Sequence, residues 1–189
     1  MKRQAKRTPI IIVSLLIVVG VIVYISPGVG KELDSYKGVA VYGNGLIVAR
    51  SFGMNFSDDG CYFGQRWQCV EYVKRFYFQA KNHKMPEVYG NAKDFFDYSI
   101  SHGERNENRG LVQYYNGNDV PTQADDVLVF TDRAYGHVAV VTGVGEGYIE
   151  VIRQNMRGKV REQIPIKEEN GDFFVGEERE PAGWLRFEG

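Results

Sequence analysis

The chain has 189 residues, 43% of them hydrophobic and 25% charged, and a formal net charge of −1, which is enough apolar material for one substantial core. Its near-neutral, mildly acidic balance argues against a nucleic-acid partner, which selects a basic face. Two cysteines and three scattered histidines form neither a disulfide scaffold nor a zinc-ligand spacing, so no metal and no cofactor is expected.

Lys2, Arg3, Lys6 and Arg7 precede an apolar run from Ile10 to Ile25, softened only by Ser14 and Gly20. At about 1.5 Å rise per residue this run nearly crosses a hydrocarbon core of about 30 Å. The following Tyr24-Ile25-Ser26-Pro27-Gly28 offers no Ala-x-Ala cleavage pattern, so an uncleaved signal anchor is favoured over a cleaved signal peptide. The basic residues on the N-terminal side predict a single-pass membrane protein with a cytoplasmic N-terminus and an extracytoplasmic catalytic domain. The expected organisation is a basic tip and transmembrane anchor over 1–26, a linker over 27–35 and one domain over 36–189.

Gly38-Val-Ala-Val-Tyr42 ending in Gly43-Asn44-Gly45 reads as a strand and turn. From Cys69 the apolar positions 69, 72, 73, 76, 77 and 80 recur at helical spacing, with Glu71, Lys74, Arg75 and Gln79 assigned to the opposite, polar face. A shorter helix is expected over 92–100, then a polar loop over 101–108. Thereafter β-branched and aromatic runs at 127–130, 137–142, 148–152, 159–166, 173–175 and 184–187 predict an antiparallel meander. Helices first and strands later indicate an α+β domain in which N-terminal helices pack on an antiparallel sheet, preceded by one transmembrane helix.

Cys69 falls at a helix start, where unpaired amides and the helix dipole favour a thiolate. A disulfide between Cys61 and Cys69 is the competing structural reading in an exported domain. A thiolate nucleophile needs a proton shuttle for the leaving amine, and histidine suits that task. His83 and His102 lie in polar surroundings and read as surface residues. His137 follows Tyr135-Gly136 and opens the apolar strand Val138-Ala-Val-Val141, where a ring at a strand's edge can face a cleft. Cysteine on a helix start with histidine on a later strand is the arrangement of papain-like cysteine hydrolases.

Gly64-Gln-Arg-Trp-Gln-Cys-Val-Glu-Tyr-Val-Lys-Arg75 and Gly136-His-Val-Ala-Val-Val141 resemble the CHAP family, the cysteine, histidine-dependent amidohydrolases and peptidases. The Trp-Gln-Cys-Val-Glu run is closest in motif to the amidase domain of bifunctional glutathionylspermidine synthetase/amidase. The resemblance implies a papain-like fold, Cys69 as nucleophile, His137 as base, and Gln68 with the Cys69 amide receiving the oxyanion. Where the family commonly has Glu-Gln-Asn, this chain has Arg153-Gln154-Asn155. Strand alternation puts Arg153 and Asn155 on one face and Glu150 on the other, so Asn155 is the residue expected to orient the imidazole, while a nearby Arg153 disfavours imidazolium. Asp125 stands where relatives place glycine, which points to an altered turn. Tyr135 is a candidate for the substrate groove. The resulting expectation is a membrane-anchored cysteine hydrolase of amide bonds in peptidoglycan or another peptide-amide substrate. The alternatives are a polyamine-conjugate amidase of the glutathionylspermidine type and, because of Arg153, an envelope binding module without turnover.

Overall fold

The computed structural model describes residues 28–156 and 159–189. The chain opens with a hairpin, β1 (Glu32–Tyr36) and β2 (Val39–Tyr42), and a second hairpin, β3 (Met54–Phe56) and β4 (Tyr62–Gln65), before its one α-helix of the described residues, α1 (Cys69–Lys81). β1 therefore begins inside the segment expected to be a linker. A single 3-10 turn covers Ala92–Phe95. The remaining strands are β5 (Glu104–Asn106), β6 (Leu111–Tyr115), β7 (Val127–Phe130), β8 (His137–Gly145), β9 (Tyr148–Ile152), β10 (Arg161–Glu169), β11 (Asp172–Val175) and β12 (Gly183–Arg186).

These eight strands form one antiparallel sheet in the order β11-β10-β9-β8-β7-β12-β6-β5. The meander expected from the sequence is present from β7 to β11, but the last strand inserts between β7 and β6 rather than extending an edge. The sheet also coils. Asn116 Oδ1 accepts the Val175 amide at 2.8 Å and the Asn118 carbonyl accepts the Phe173 amide at 2.7 Å, tying β11 to the segment that follows β6.

Alternation along the strands divides the core into two layers. Val127, Val129, Val138, Val140, Ile152 and Leu185 face α1 and β2, packing with Cys69, Tyr72, Val73, Phe76 and Tyr77. Leu128, Phe130, Ala139, Val141, Ile149, Val151 and Trp184 fill the other face. Each large side chain so enclosed contributes about 1.5–3 kcal/mol. α1 ends where Asn82 takes the left-handed conformation, φ 50°, and its amide and that of His83 both bond to the Tyr77 carbonyl, a helix stop that asparagine tolerates better than most residues.

Three expectations are corrected. Among the described residues the fold is mostly antiparallel sheet with one short helix, not a layer of N-terminal helices on a sheet: four strands of the described residues precede α1, and the second expected helix shrinks to the 3-10 turn. The physical reason lies in its polar groups. The Asp94 carboxylate caps the Asn91 amide at 2.7 Å, the Asp97 carboxylate takes the Ser99 amide at 2.9 Å, and Gln113 bonds both the amide and the carbonyl of Asp97, at 3.0 and 2.8 Å. Side chains thus satisfy the backbone that an α-helix would have satisfied internally.

The second correction concerns the polar face of α1. Glu71, Lys74 and Arg75 are buried, because the β3–β4 hairpin and the chain around Val88 cover the side of the helix away from the sheet. Lys74 bonds the Val88 carbonyl, and burial, reinforced by Arg109, brings its pKa down to about 8. Gly64 in β4 permits this cover: a Cβ there would lie 3.2 Å from the Glu71 main chain.

The third concerns the membrane. Among the described residues no helix is long and apolar enough to cross a bilayer, and the anchor expected over 1–26 lies outside them. The expected single-pass placement, with the catalytic domain outside, is thus without a spanning helix among the described residues.

Candidate active site

Cys69 is the first residue of α1 and is buried with only a small exposed fraction. The amide of Val138, the residue after His137, reaches the Cys69 thiol and favours its ionised form, as do the amides of Val70 and of Cys69 itself. The start of the helix and the start of β8 are thereby brought together. Burial nevertheless dominates and pushes the thiol above its ordinary pKa, against the expectation that the helix start alone prepares a thiolate. Cys61 and Cys69 are both free thiols, so the alternative disulfide is not formed.

His137 is buried at the mouth of β8, 6.5 Å between ring centroids from Phe130 on the neighbouring strand. Its Nε2 is enclosed and has no hydrogen-bond partner among the described residues. Burial lowers its pKa to about 3, and the charges of Arg153, Arg179 and Arg133 act in the same direction, Arg153 most strongly, against a small opposing influence of Asp132. The ring is neutral in the resting protein. Gly136 sets its approach: φ is 71°, and a Cβ there would meet the Lys93 amide nitrogen at 2.5 Å and the Phe130 carbonyl oxygen at 2.6 Å, so only glycine fits.

Gln68 and Asn155 come together, but not around the imidazole. Asn155 Nδ2 donates to Gln68 Oε1 and to the Val48 carbonyl, while Asn155 Oδ1 accepts Asn44 Nδ2 at 2.7 Å. Gln68 Nε2 donates to the Val48 and Arg50 carbonyls at 3.1 and 3.0 Å. Both amides are thus engaged with the loop before β3, including the Gln68 hydrogens that an oxyanion would need. Alternation fails at Asn155 because β9 ends at Ile152 and Asn155 has φ 64°, which swings its side chain off the face shared by Arg153. Glu150 is engaged elsewhere, by Thr142 and Arg161, each at 2.7 Å. Tyr135 is largely exposed, and its carbonyl accepts the Lys93 amide at 3.1 Å.

Gln154 and Glu71 are the supporting residues that sequence reasoning missed. Gln154 is buried; its Oε1 accepts the Tyr42 amide at 2.8 Å, and its Nε2 donates to the Gln68 carbonyl at 2.9 Å and the Glu71 carboxylate at 2.6 Å. Glu71 also accepts Asn55 Nδ2 at 2.7 Å and Arg75 Nε at 2.6 Å. This network fastens the first turn of α1 to the end of β9. The available signal is alternation itself, which sets Gln154 opposite Arg153 and so toward the helix.

The remaining histidines divide. His102 is exposed beside Asp119, as expected. His83 is half-buried against Phe187, with ring centroids 4.7 Å apart, and bonded to the Arg109 carbonyl at 2.8 Å; it packs rather than faces solvent. Asp125 has φ 77° in the turn before β7, with its carboxylate held by Lys37 at 2.6 Å, Tyr36 at 3.0 Å and Lys81. Among the described residues no cluster of three or more potential ligands could hold a metal ion.

The Cys69 thiol at the helix start is met by the amide of Val138, the residue after His137, and the segment that holds both falls within a family match. The CHAP domain model matches residues 60–155, just over half of the chain. The chain belongs to the CHAP domain family, a family of hydrolytic amidases and peptidases. It is also 23% identical over 146 residues to a trypanothione synthetase of Crithidia fasciculata, a match that takes in 70% of this chain and 22% of that protein. The chain therefore spans less than a quarter of that relative's length.

Proposed function

We propose that this protein is a cysteine-dependent hydrolase of amide bonds, with Cys69 as nucleophile and His137 as the proton carrier. The observation that carries this reading is the meeting of the Cys69 thiol with the Val138 amide, inside the segment matched by the family. In the proposed reaction the Cys69 sulfur attacks the amide carbonyl as its proton passes to His137, the leaving amine recovers that proton, and water then releases the acyl group from sulfur. Because the resting thiol and ring are both neutral, proton transfer accompanies attack instead of preceding it. The Cys69 main-chain amide at the helix start is the available donor for the oxyanion, and Gln68 joins it only if its amide leaves the Val48 and Arg50 carbonyls. Tyr135 stands at the exposed rim as a groove residue. The working unit is proposed to extend over 32–189, because β1 begins at Glu32 and not after the expected linker.

The first substrate class is the peptide amide, with peptidoglycan as the polymer to test. The similarity to a protein named for trypanothione synthesis favours a second reading, hydrolysis of a polyamine conjugate of the glutathionylspermidine type. The full chain is incubated with purified sacculi and, separately, with glutathionylspermidine, using Cys69→Ala as control. New amines or soluble muropeptides from sacculi support the first, and free spermidine the second. Turnover of neither, or turnover retained by Cys69→Ala, sinks the cysteine-hydrolase reading.

A further inference from the structure

The β3–β4 hairpin and the outer side of α1 enclose a groove of about 380 Å³. Its walls are aromatic: Phe56 on β3 is half exposed, and Phe63 on β4 meets Phe78 of α1 edge to face, with ring centroids 5.2 Å apart. Phe78 follows Cys69 by nine residues on the same helix, and at about 100° per residue that sets the two on opposite sides of it. The groove therefore opens where the thiol does not face. A cleft of this size, lined by apolar rings with a few polar groups among them, is the usual form of a small-ligand site.

Two parts of the lining are charged, with opposite signs. At the floor, Arg75 is only 6% exposed. Glu71 accepts its Nε–H at 2.6 Å, and the rings of Tyr42 and Tyr72 lie 5.2 and 5.6 Å from its guanidinium carbon. The guanidinium is held in place, yet Nε–H alone of its N–H groups has an acceptor among the described residues, and Nη2 is enclosed with none. A buried donor without an acceptor is costly and is rarely left so. At the rim, Asp58 and Asp59 sit side by side in the hairpin turn, both exposed. The Asp58 carboxylate has no hydrogen-bond or ion-pair partner among the described residues, while Asp59 accepts the Ser57 hydroxyl and feels the charge of Lys84. A simple anion would be repelled by the rim, and a simple cation would leave the guanidinium without its acceptor. A ligand that carries both charges and an apolar group answers all three parts of the lining.

We propose that this groove is a second ligand site, taking a short peptide with both ends free: its carboxylate on Arg75, its ammonium on Asp58 and Asp59, and an apolar side chain against Phe56 and Phe78. Glu71 and the two tyrosines hold the guanidinium before any ligand arrives, so little of the binding free energy is lost in ordering it. Asn55, also in the lining, donates to the same Glu71 oxygen at 2.7 Å, which ties the hairpin wall to the helix wall. The site is separate from Cys69 and does not rest on the hydrolase reading.

The test is a titration of the 15N-labelled full chain near neutral pH with three probes: leucylglycine, leucylglycinamide, which lacks the carboxylate, and N-acetyl-leucylglycine, which lacks the ammonium. It is followed at the Arg75 Nε–H and the Gln79 side-chain amide. Leucylglycine is expected to shift both signals saturably, with a Kd of about 1 mM or tighter. Leucylglycinamide is expected to bind about tenfold more weakly or worse, and N-acetyl-leucylglycine at least about threefold more weakly. Asp58→Asn combined with Asp59→Asn, both on the exposed turn, is expected to abolish the difference between leucylglycine and its acetylated form, and Phe56→Ala to weaken all three probes. Arg75→Lys is expected to abolish the advantage of leucylglycine over its amide; should that buried variant fail to fold, the comparison of the two probes on the native protein decides the same point. No saturable shift up to about 10 mM overturns the proposal, and so do equal affinities for the three probes. Tighter binding of leucylglycinamide than of leucylglycine would make the groove a cation site and likewise overturn it. Cys69→Ala is expected to give the native titration, which separates this result from the hydrolase reading; a Cys69→Ala protein that no longer binds leucylglycine would place the ligand at the thiol and refute the second site.

Discussion

Gln154 donates from the end of β9 to the carboxylate of Glu71 in the first turn of α1, at 2.6 Å and wholly out of solvent. The same amide holds the carbonyl of Gln68, the residue before Cys69. The position of the cysteine is therefore set by a buried polar bridge between helix and sheet as well as by apolar packing.

That bridge predicts an order of damage. Glu71→Ala leaves the buried Arg75 guanidinium without its carboxylate, a change that costs about 3–5 kcal/mol. Gln154→Ala strands an acceptor on Glu71 and on Gln68 and is expected to cost about 1–3 kcal/mol. Glu71→Gln retains an acceptor and is expected to cost less than Glu71→Ala. Urea denaturation of the three variants checks the ranking; a Glu71→Ala protein as stable as the native one would remove the bridge from the account.

Gly136 carries a second prediction, because the turn that delivers His137 has no room for a side chain. A Cβ would strike both the Lys93 amide and the Phe130 carbonyl, in a backbone conformation with positive φ. Gly136→Ala is expected to destabilise by about 1–3 kcal/mol and to reduce any amide hydrolysis by at least about tenfold through displacement of the ring. A stability measurement paired with a rate separates the two effects. A Gly136→Ala protein with native stability and rate would show that the turn is softer than its contacts imply.

The pH dependence of stability follows from the His137 ring. In the unfolded chain it titrates near 6.5, whereas burial and the neighbouring arginines lower the folded value to about 3. Above about pH 6.5 both states are neutral and the ring contributes nothing. As the pH falls below that value the unfolded chain takes up a proton that the folded protein refuses, so stability declines until the folded ring titrates as well. The slope approaches about 1.4 kcal/mol per pH unit for one proton. Denaturation midpoints between about pH 6.5 and 5, above the range of the lowered carboxylates, are expected to fall more steeply for the native protein than for His137→Gln. Equal slopes would contradict a buried neutral ring.

Much of this arrangement is legible in residue periods. Alternation locates β7 to β11 within a few residues, and the spacing of 69, 72, 73, 76 and 77 identifies the helix and the face it turns to the sheet. What escapes is whatever depends on a second neighbour. Glu71, Lys74 and Arg75 have the pattern of a solvated helix face, and only the β3–β4 hairpin folding over them makes that face interior. Strand alternation misplaces Asn155 because it runs past the point where the strand ends, and the positive φ there redirects the side chain to Gln68. The 92–100 segment has helical spacing, but Asp94, Asp97 and Gln113 offer its backbone nearer partners. Asp125 does mark a distinct turn, although the three groups that hold its carboxylate come from 36, 37 and 81, far from it in sequence.

The thiol provides the last prediction, and it reverses the simplest expectation for a cysteine at a helix start. The amides of Val138, Val70 and Cys69 all favour the thiolate, yet enclosure of the sulfur outweighs them and raises its pKa above the ordinary value. No neighbouring imidazolium offsets this, since the His137 ring is neutral over the same range. Cys69 is therefore a protonated thiol at neutral pH, and only its small thiolate fraction reacts with an alkylating agent. In a Cys61→Ser background, the iodoacetamide rate at Cys69 is expected to be low at about pH 7 and still rising beyond about pH 9, where an unperturbed thiol with pKa about 8.5 levels off. His137→Ala is expected to leave that profile nearly unchanged in the resting protein, because a neutral ring contributes no charge to the thiol. A plateau of fast labelling below about pH 7 that disappears in His137→Ala would establish a preformed thiolate–imidazolium pair and overturn the neutral resting state.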